Sequence, residues 1–308
     1  MSDDSVACPL CKKGGASLWA TAHDIEYFTS TNDFDFYRCE ACDVLFISPM
    51  LSSDLSTIYP KNYYSFAGQK PSLVQRIKQV LDRRAFRAVS AEIPGQDLAA
   101  LDVGGGSGWL LNQLRQVDDR FTHTCVVDID PGAGALAEAA GHRFDLGSIE
   151  DFSANRSFDL VFMLNLIEHV ADPERVLRKA ADMLSANGRL LLKTPNFDAL
   201  DARLFRHHSW AGLHTPRHFV LFTRESLVDL CLRSGLEVVS FHYTQGAPFW
   251  SVSVLDLLRR AGLVKVDAAR PAVMHPLIPP LQALFAAFDF LRRPFARLSQ
   301  MELVLRKI

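Results

Sequence analysis

Residues 101–108, Leu-Asp-Val-Gly-Gly-Gly-Ser-Gly, constrain this chain of 308 residues more than any other segment. An apolar run from Leu98 to Val103 leads into them, and Trp109-Leu110-Leu111 with Leu114 leads out at helical spacing. Glycines at 104, 106 and 108 let the backbone turn sharply and bring its N–H groups close to a ligand with no Cβ in the way. A strand, a glycine turn and a helix start make a polar cradle for a small cofactor. The dinucleotide fingerprint Gly-x-Gly-x-x-Gly would place its third glycine at position 109, which is Trp109. An indole there obstructs a pyrophosphate pressed against the helix, so NAD is disfavoured.

The next predicted strand, Thr122 to Val127, ends in Asp128-Ile129-Asp130-Pro131. An acidic residue about 20 positions beyond the glycine turn is placed to accept hydrogen bonds from ribose hydroxyls. That role is expected of Asp128, and Asp130 is expected to cap the helix that Pro131 begins. From Leu98 onward strand and helix patterns alternate, the sign of a parallel sheet flanked by helices. Asp172-Pro173 opens a further helix, and Gly188 is expected in its C-terminal turn.

Four of the six cysteines form two Cys-x-x-Cys pairs, Cys8/Cys11 and Cys39/Cys42. Each spacing lets one tight turn present two sulfurs to one ion, and two such turns complete a closed tetrahedral zinc site with a structural role. The residues between the pairs must then form a hairpin or short sheet of their own, which Tyr27-Phe28 and Phe34-Asp35-Phe36-Tyr37 suit. Disulfides are the competing reading and fit an oxidising compartment. Cys125 and Cys231 sit in apolar segments as small buried hydrophobes.

These residues resemble the class I S-adenosylmethionine-dependent methyltransferases. Residues 157–196, with Asn165-Leu-Ile-Glu168-His169-Val and Asn187-Gly188 through Thr194-Pro195-Asn196, look like that family's fourth and fifth strands and intervening helix. Residues 214–243 look like its later segment, and Met301–Lys307 like its last strand. The resemblance implies an α/β fold with a doubly wound, mostly parallel seven-stranded sheet whose last strand is antiparallel. It implies that Asp102 and the backbone of Gly104, Gly106 and Gly108 hold the amino-acid part of S-adenosylmethionine, and that Asp128 holds the ribose. Ile129 would lie beside the adenine, with Glu150 or Asp151 near it. Asn165 would look into the acceptor cleft. The run from Cys42 through Ser48-Pro49, Tyr59-Pro60 and Asn62-Tyr63-Tyr64 is similar to the zinc-bearing leader of bacterial methyltransferases acting on sugars and other glycan-pathway intermediates.

The implied organisation is a zinc leader over 1–65 and a linker with a helix over 66–95. The methyltransferase domain follows over 96–245, then a helical insertion over 246–298 and a final sheet strand over 299–308. Gly68–Pro71 punctuates the linker. In the following helix Leu73, Ile77, Val80-Leu81 and Ala88 are expected to form the apolar face. The expected reaction is in-line methyl transfer to a small or glycan-type acceptor, with His214 or His218 as base because histidine titrates near neutral pH. His207-His208 are adjacent and His214 and His218 flank a proline, so their spacing sets no helical ligand pair and points to no second metal.

The 33 basic and 35 acidic residues leave a formal charge of −2, which gives no general attraction to a phosphate backbone. That weighs against a ribosomal RNA methyltransferase with a zinc-ribbon reader. The second competitor, an inactive cofactor-binding scaffold, sits poorly with an intact set of cofactor residues. An acidic start without a signal-peptide pattern, and no apolar run of about 18 residues, point to the cytoplasm. In the insertion, Val254–Arg260 and Leu277–Leu291 with Arg292-Arg293 read as amphipathic helices. Such faces are a lid, a dimer face or a peripheral contact with the inner side of a membrane through 250–297.

Overall fold

A computed structural model describes residues 6–52, 55–59, 73–208 and 210–308. Tyr63, Tyr64 and the Gly68–Pro71 punctuation lie outside the described residues. Aromatic and β-branched residues of the leader form β1 (Ala16–Ala22), β2 (Phe34–Cys39) and β3 (Val44–Ser48), paired antiparallel in that order. Short α1 (Leu55–Ile58) and longer α2 (Leu73–Ala91) lead to β4 (Leu98–Val103).

All six residues of β4 are buried. An apolar run without alternation suits a strand covered on both faces, and β4 lies between parallel partners. In chain order there follow α3 (Trp109–Arg115), β5 (Phe121–Asp128), α4 (Pro131–Ala139), β6 (Arg143–Leu146), β7 (Phe158–Leu164), α5 (Pro173–Met183) and β8 (Leu184–Pro195). The chain continues through α6 (Leu200–Phe205), β9 (Val220–Phe222), α7 (Arg224–Arg233), β10 (Leu236–Thr244), α8 (Ala247–Arg260), α9 (Ile278–Arg292) and β11 (Gln300–Lys307). The main sheet runs β10-β11-β8-β7-β4-β5-β6, with β11 antiparallel to both neighbours and the other pairings parallel. This is the expected doubly wound fold. Successive crossovers leave β4 in opposite directions, to β5 and to β7, so a cleft opens at the carboxyl ends of these strands.

Three sequence expectations need correction. Gly188 is inside β8, not in a helix turn; α5 already ends at Met183. The β7–β8 register shifts between Phe158 and Leu160, and a Cβ at 188 would lie 2.8 Å from the Phe158 carbonyl oxygen, so the strands approach there as only glycine allows. On α2, Val80 and Leu81 face solvent; Phe86 makes the buried contact, its ring 5.0 Å from that of Phe162. The side chains of residues 73–78 lie outside the described ones. The leader sheet, finally, is not its own. β9 adds to β3, Val44 opposite Phe222 and Phe46 opposite Val220, so the leader is zipped to the domain by backbone pairing.

The insertion forms α8 and α9, packed through Trp250 stacked on Phe285 at 5.2 Å. Leu284, Phe288 and Leu291 lie exposed on α9. No helix among the described residues is long and apolar enough to cross a membrane.

Candidate active site

Gly104, Gly106 and Gly108 all take positive φ, +72°, +52° and +73°. Gly108 is the most constrained, because a Cβ there would collide with the ring of His142, itself fixed by a 2.8 Å hydrogen bond with Thr124. Below the turn the carboxyl of Asp102 is sealed. It is 1% exposed and its Oδ2 has no hydrogen-bond partner. Burial, then the charge of Asp128, pushes Asp102 well above the usual carboxylate range. Asp128, at the tip of β5, accepts from the backbone N–H of Gly106 at 2.8 Å and of Asp130 at 2.9 Å. Burial raises it too, while those donors pull it back. Asp130 caps α4 through Gly132 N–H.

Ile129 lies next to Asp128 and is 48% exposed, an apolar surface beside a polar cradle. The orphaned Asp102 oxygen, the bare glycine backbone and exposed Ile129 fit an adenosyl amino acid, which offers an ammonium, a ribose and an apolar ring. Asp151 is exposed and accepts from the Ser148 hydroxyl at 3.1 Å. Glu150 lines a separate open groove of about 530 Å³ with Leu10, Lys12 and Arg175.

The loop after β7 links this cradle to a second polar cluster. Leu166 lies over the glycine turn, where a Cβ on Gly104 would sit 3.0 Å from its Cδ1. Asn165, with φ +54°, is exposed and accepts from the Gln300 amide at 3.1 Å. Three residues on, Glu168 is buried, its Oε2 accepting from the Thr194 hydroxyl at 2.8 Å. Burial pushes its carboxyl up to about 8. His169, His214 and His218 gather around it with ring centroids 4.6 to 6.0 Å apart. Burial, then His214, lowers His169 to about 3. Burial, then His169 and His214, holds His218 well below the usual imidazole value. Both rings are therefore neutral at pH 7. His207 and His208 are exposed and stand apart.

The leader supplies Tyr59, from the tyrosine run noted in the sequence, and two carboxylates that the sequence reading missed, Asp24 and Glu26. Glu26 Oε1 is 2.7 Å from His214 Nδ1, and Tyr59 Oη is 2.8 Å from His169 Nδ1. Asp24 pairs with Arg217 at 3.0 Å, both side chains fully buried. Burial alone would raise Asp24, but the Arg217 charge and several hydrogen bonds hold it at about 2. The available signal was Asp24 and Glu26 inside an apolar, aromatic run, since carboxylates placed there are normally paired.

The four leader cysteines meet as expected. Cys8 and Cys42 sulfurs are 3.7 Å apart, and those of Cys11 and Cys39 3.6 Å. Tetrahedral zinc with Zn–S bonds of about 2.3 Å needs sulfurs roughly 3.8 Å apart. All four lie within 4.8 Å of one another, so the donor set fits a zinc ion.

The methyltransferase-domain family matches residues 73–241. A ubiquinone biosynthesis O-methyltransferase of Ruegeria pomeroyi is 29% identical over 190 residues, covering 56% of this chain and 74% of the relative. One from Azorhizobium caulinodans is 30% identical over 129 residues, which span 39% of this chain and 49% of that protein. A solved S-adenosylmethionine-dependent methyltransferase of Archaeoglobus fulgidus superposes with a TM-score of 0.47 at 15% identity, covering 74% and 94% of the two chains. These curated relatives give no support to the glycan-pathway acceptor expected from the leader.

Proposed function

We infer the function from one premise: the chain belongs to the methyltransferase-domain family matched over residues 73–241, and is an S-adenosylmethionine-dependent methyltransferase. The reading proposed is O-methylation of a small-molecule hydroxyl. The observation that carries it is the loop 165–169, which lies against the donor cradle through Leu166 and against two further histidines, His214 and His218, through His169. The relatives' names, ubiquinone biosynthesis O-methyltransferases, agree with a hydroxyl and favour a phenolic one over a sugar.

Bound S-adenosylmethionine supplies an activated methyl group on a sulfonium. The protein's share is alignment and removal of a proton. Asp102, Gly104 and Gly106 would hold the amino-acid end, Gly108 would shape the turn, and Asp128 and Ile129 would hold the ribose and ring. Asn165 would border the acceptor. His214 is the proposed base. Glu26 engages its Nδ1 at 2.7 Å, so Nε2 takes the acceptor proton and the imidazolium that results is stabilised by the carboxylate. The alternative base, His218, spends Nδ1–H on the Gly212 carbonyl at 2.8 Å and has no carboxylate at hydrogen-bond distance. A zinc ion on Cys8, Cys11, Cys39 and Cys42 would have a structural role only, since four thiolates leave no open position.

The test uses methyl-labelled S-adenosylmethionine with catechols and nucleotide sugars as acceptors. Label is expected on the catechol oxygen, and His214→Ala should lower the rate about 10²- to 10⁴-fold with donor affinity unchanged. Label on a sugar, or full activity in His214→Ala, would overturn the acceptor or the base respectively.

A further inference from the structure

The polar cluster holds more than a base. Among the described residues, one donor atom each from Glu168, His169 and His218 lies within 4.8 Å of the other two. His218 donates Nδ1–H to the Gly212 carbonyl at 2.8 Å, which leaves a lone pair on Nε2. That Nε2 is 3.9 Å from Glu168 Oε1, a buried oxygen with no hydrogen-bond partner. His169 Nδ1 is 3.1 Å from the Arg217 carbonyl, which can only accept, and 2.8 Å from Tyr59 Oη, which can also accept; with the proton on Nδ1 both contacts are satisfied and Nε2 carries the lone pair. Imidazoles fixed by backbone carbonyls at one nitrogen are the usual outer arrangement of metal-ligating histidines. The two segments are also tied to each other, Phe219 N–H donating to the Glu168 carbonyl at 2.7 Å.

We propose that Glu168, His169 and His218 bind a divalent transition-metal ion, a second metal site separate from the four cysteines. Two imidazoles and one carboxylate suit manganese, iron or zinc, rather than calcium, which prefers an all-oxygen shell. Tetrahedral ligand bonds of about 2.1 Å put donors about 3.4 Å apart, so Glu168 Oε1 and His218 Nε2, 3.9 Å apart, would draw together by about half an ångström on binding. Glu168 is held through Oε2 alone, which leaves Oε1 able to swing. Neighbouring charge permits a cation. Arg217 is neutralised by Asp24 at 3.0 Å, and Glu26 stands beside His214 on the same side. Three protein ligands leave coordination positions open to solvent or an acceptor oxygen, unlike the closed cysteine site. His169, half-buried where the other two ligands are sealed, marks the open side.

The site is testable with manganese(II) alone on the full chain, its cysteine site preloaded with zinc. Hard Mn²⁺ does not displace zinc from four thiolates, so the two sites report separately. Electron paramagnetic resonance of free Mn²⁺ should show one ion taken up per chain, and pulsed measurements on the bound ion should show coupling to imidazole nitrogen. Glu168→Gln and His218→Ala should each weaken uptake at least tenfold; His208→Ala, an exposed control, should not. Absence of uptake, uptake without nitrogen coupling, or unchanged affinity in both variants would overturn the proposal. The nitrogen coupling is read on the unaltered protein, so a variant that fails to fold does not blunt the test. Titration of the same sample with S-adenosylhomocysteine judges the donor reading independently.

Discussion

The cysteine cluster lies wholly within the leader and the histidine cluster joins the leader to the domain, and the two are built in opposite ways. The four thiols come from two tight turns at one end of the leader sheet, where Ala16 pairs with Cys39, and they close on themselves. The histidine cluster draws on segments far apart in sequence, around Asp24–Tyr27, Tyr59, Glu168-His169 and His214–His218, and leaves Glu168 Oε1 without a partner. A closed donor set stabilises a fold; an open one in a low-dielectric setting is available for chemistry.

The sharpest way to break this comparison is to remove the closed site. Cys39→Ser, or removal of zinc by a chelator, should lower the thermal midpoint by on the order of 10 °C or more, read by calorimetry alongside zinc content. An unchanged midpoint would mean that the thiols carry no structural ion. Next comes the leader's buried ion pair. Asp24→Asn should cost about 3–5 kcal/mol in denaturant unfolding, because Arg217 is left buried and unpaired. Since Asp24 is held at about 2, its contribution is complete above the unfolded value of about 4 and disappears as pH falls toward about 2. The gap between wild type and Asp24→Asn should therefore narrow by about 1.4 kcal/mol per pH unit across that window and stay constant above it.

A smaller effect is expected at the glycine turn. Gly108→Ala forces a Cβ into His142 at φ +73° and should cost about 1–2 kcal/mol. It should also weaken S-adenosylhomocysteine binding, in contrast to Asp24→Asn, which lies outside the cradle. The smallest effect belongs to Leu81→Ser. Leu81 is 56% exposed on α2, so stability should change by no more than about 0.5 kcal/mol.

The same contrast separates what was legible in the sequence from what was not. The glycine turn, Asp128, Asp130 and the two Cys-x-x-Cys pairs are local signals, since backbone geometry and ligand spacing are set within a few residues, and the structure assembles each of them. The parallel sheet followed from alternation of strands and helices, and its antiparallel last strand from the family resemblance. Glu26 beside His214 and Tyr59 beside His169 are contacts across 188 and 110 positions, and no local period encodes them. The pairing of β9 with β3 is equally non-local, and it brings the histidine segment under the leader. Val80 and Leu81 misled because helical spacing names a stripe and not its partner; the ring of Phe86 against Phe162 sets the buried side of α2. Gly188 misled because glycine both ends helices and lets strands approach.

The proposed function places the donor at the glycine turn, beside a separate proton-handling cluster. Calorimetric titration of the full chain with S-adenosylhomocysteine tests it most directly, comparing wild type, Asp128→Ala and His214→Ala. One site per chain in wild type is predicted, with affinity at least about tenfold weaker in Asp128→Ala and unchanged in His214→Ala. No binding heat in wild type, or equal affinity in Asp128→Ala, would contradict it.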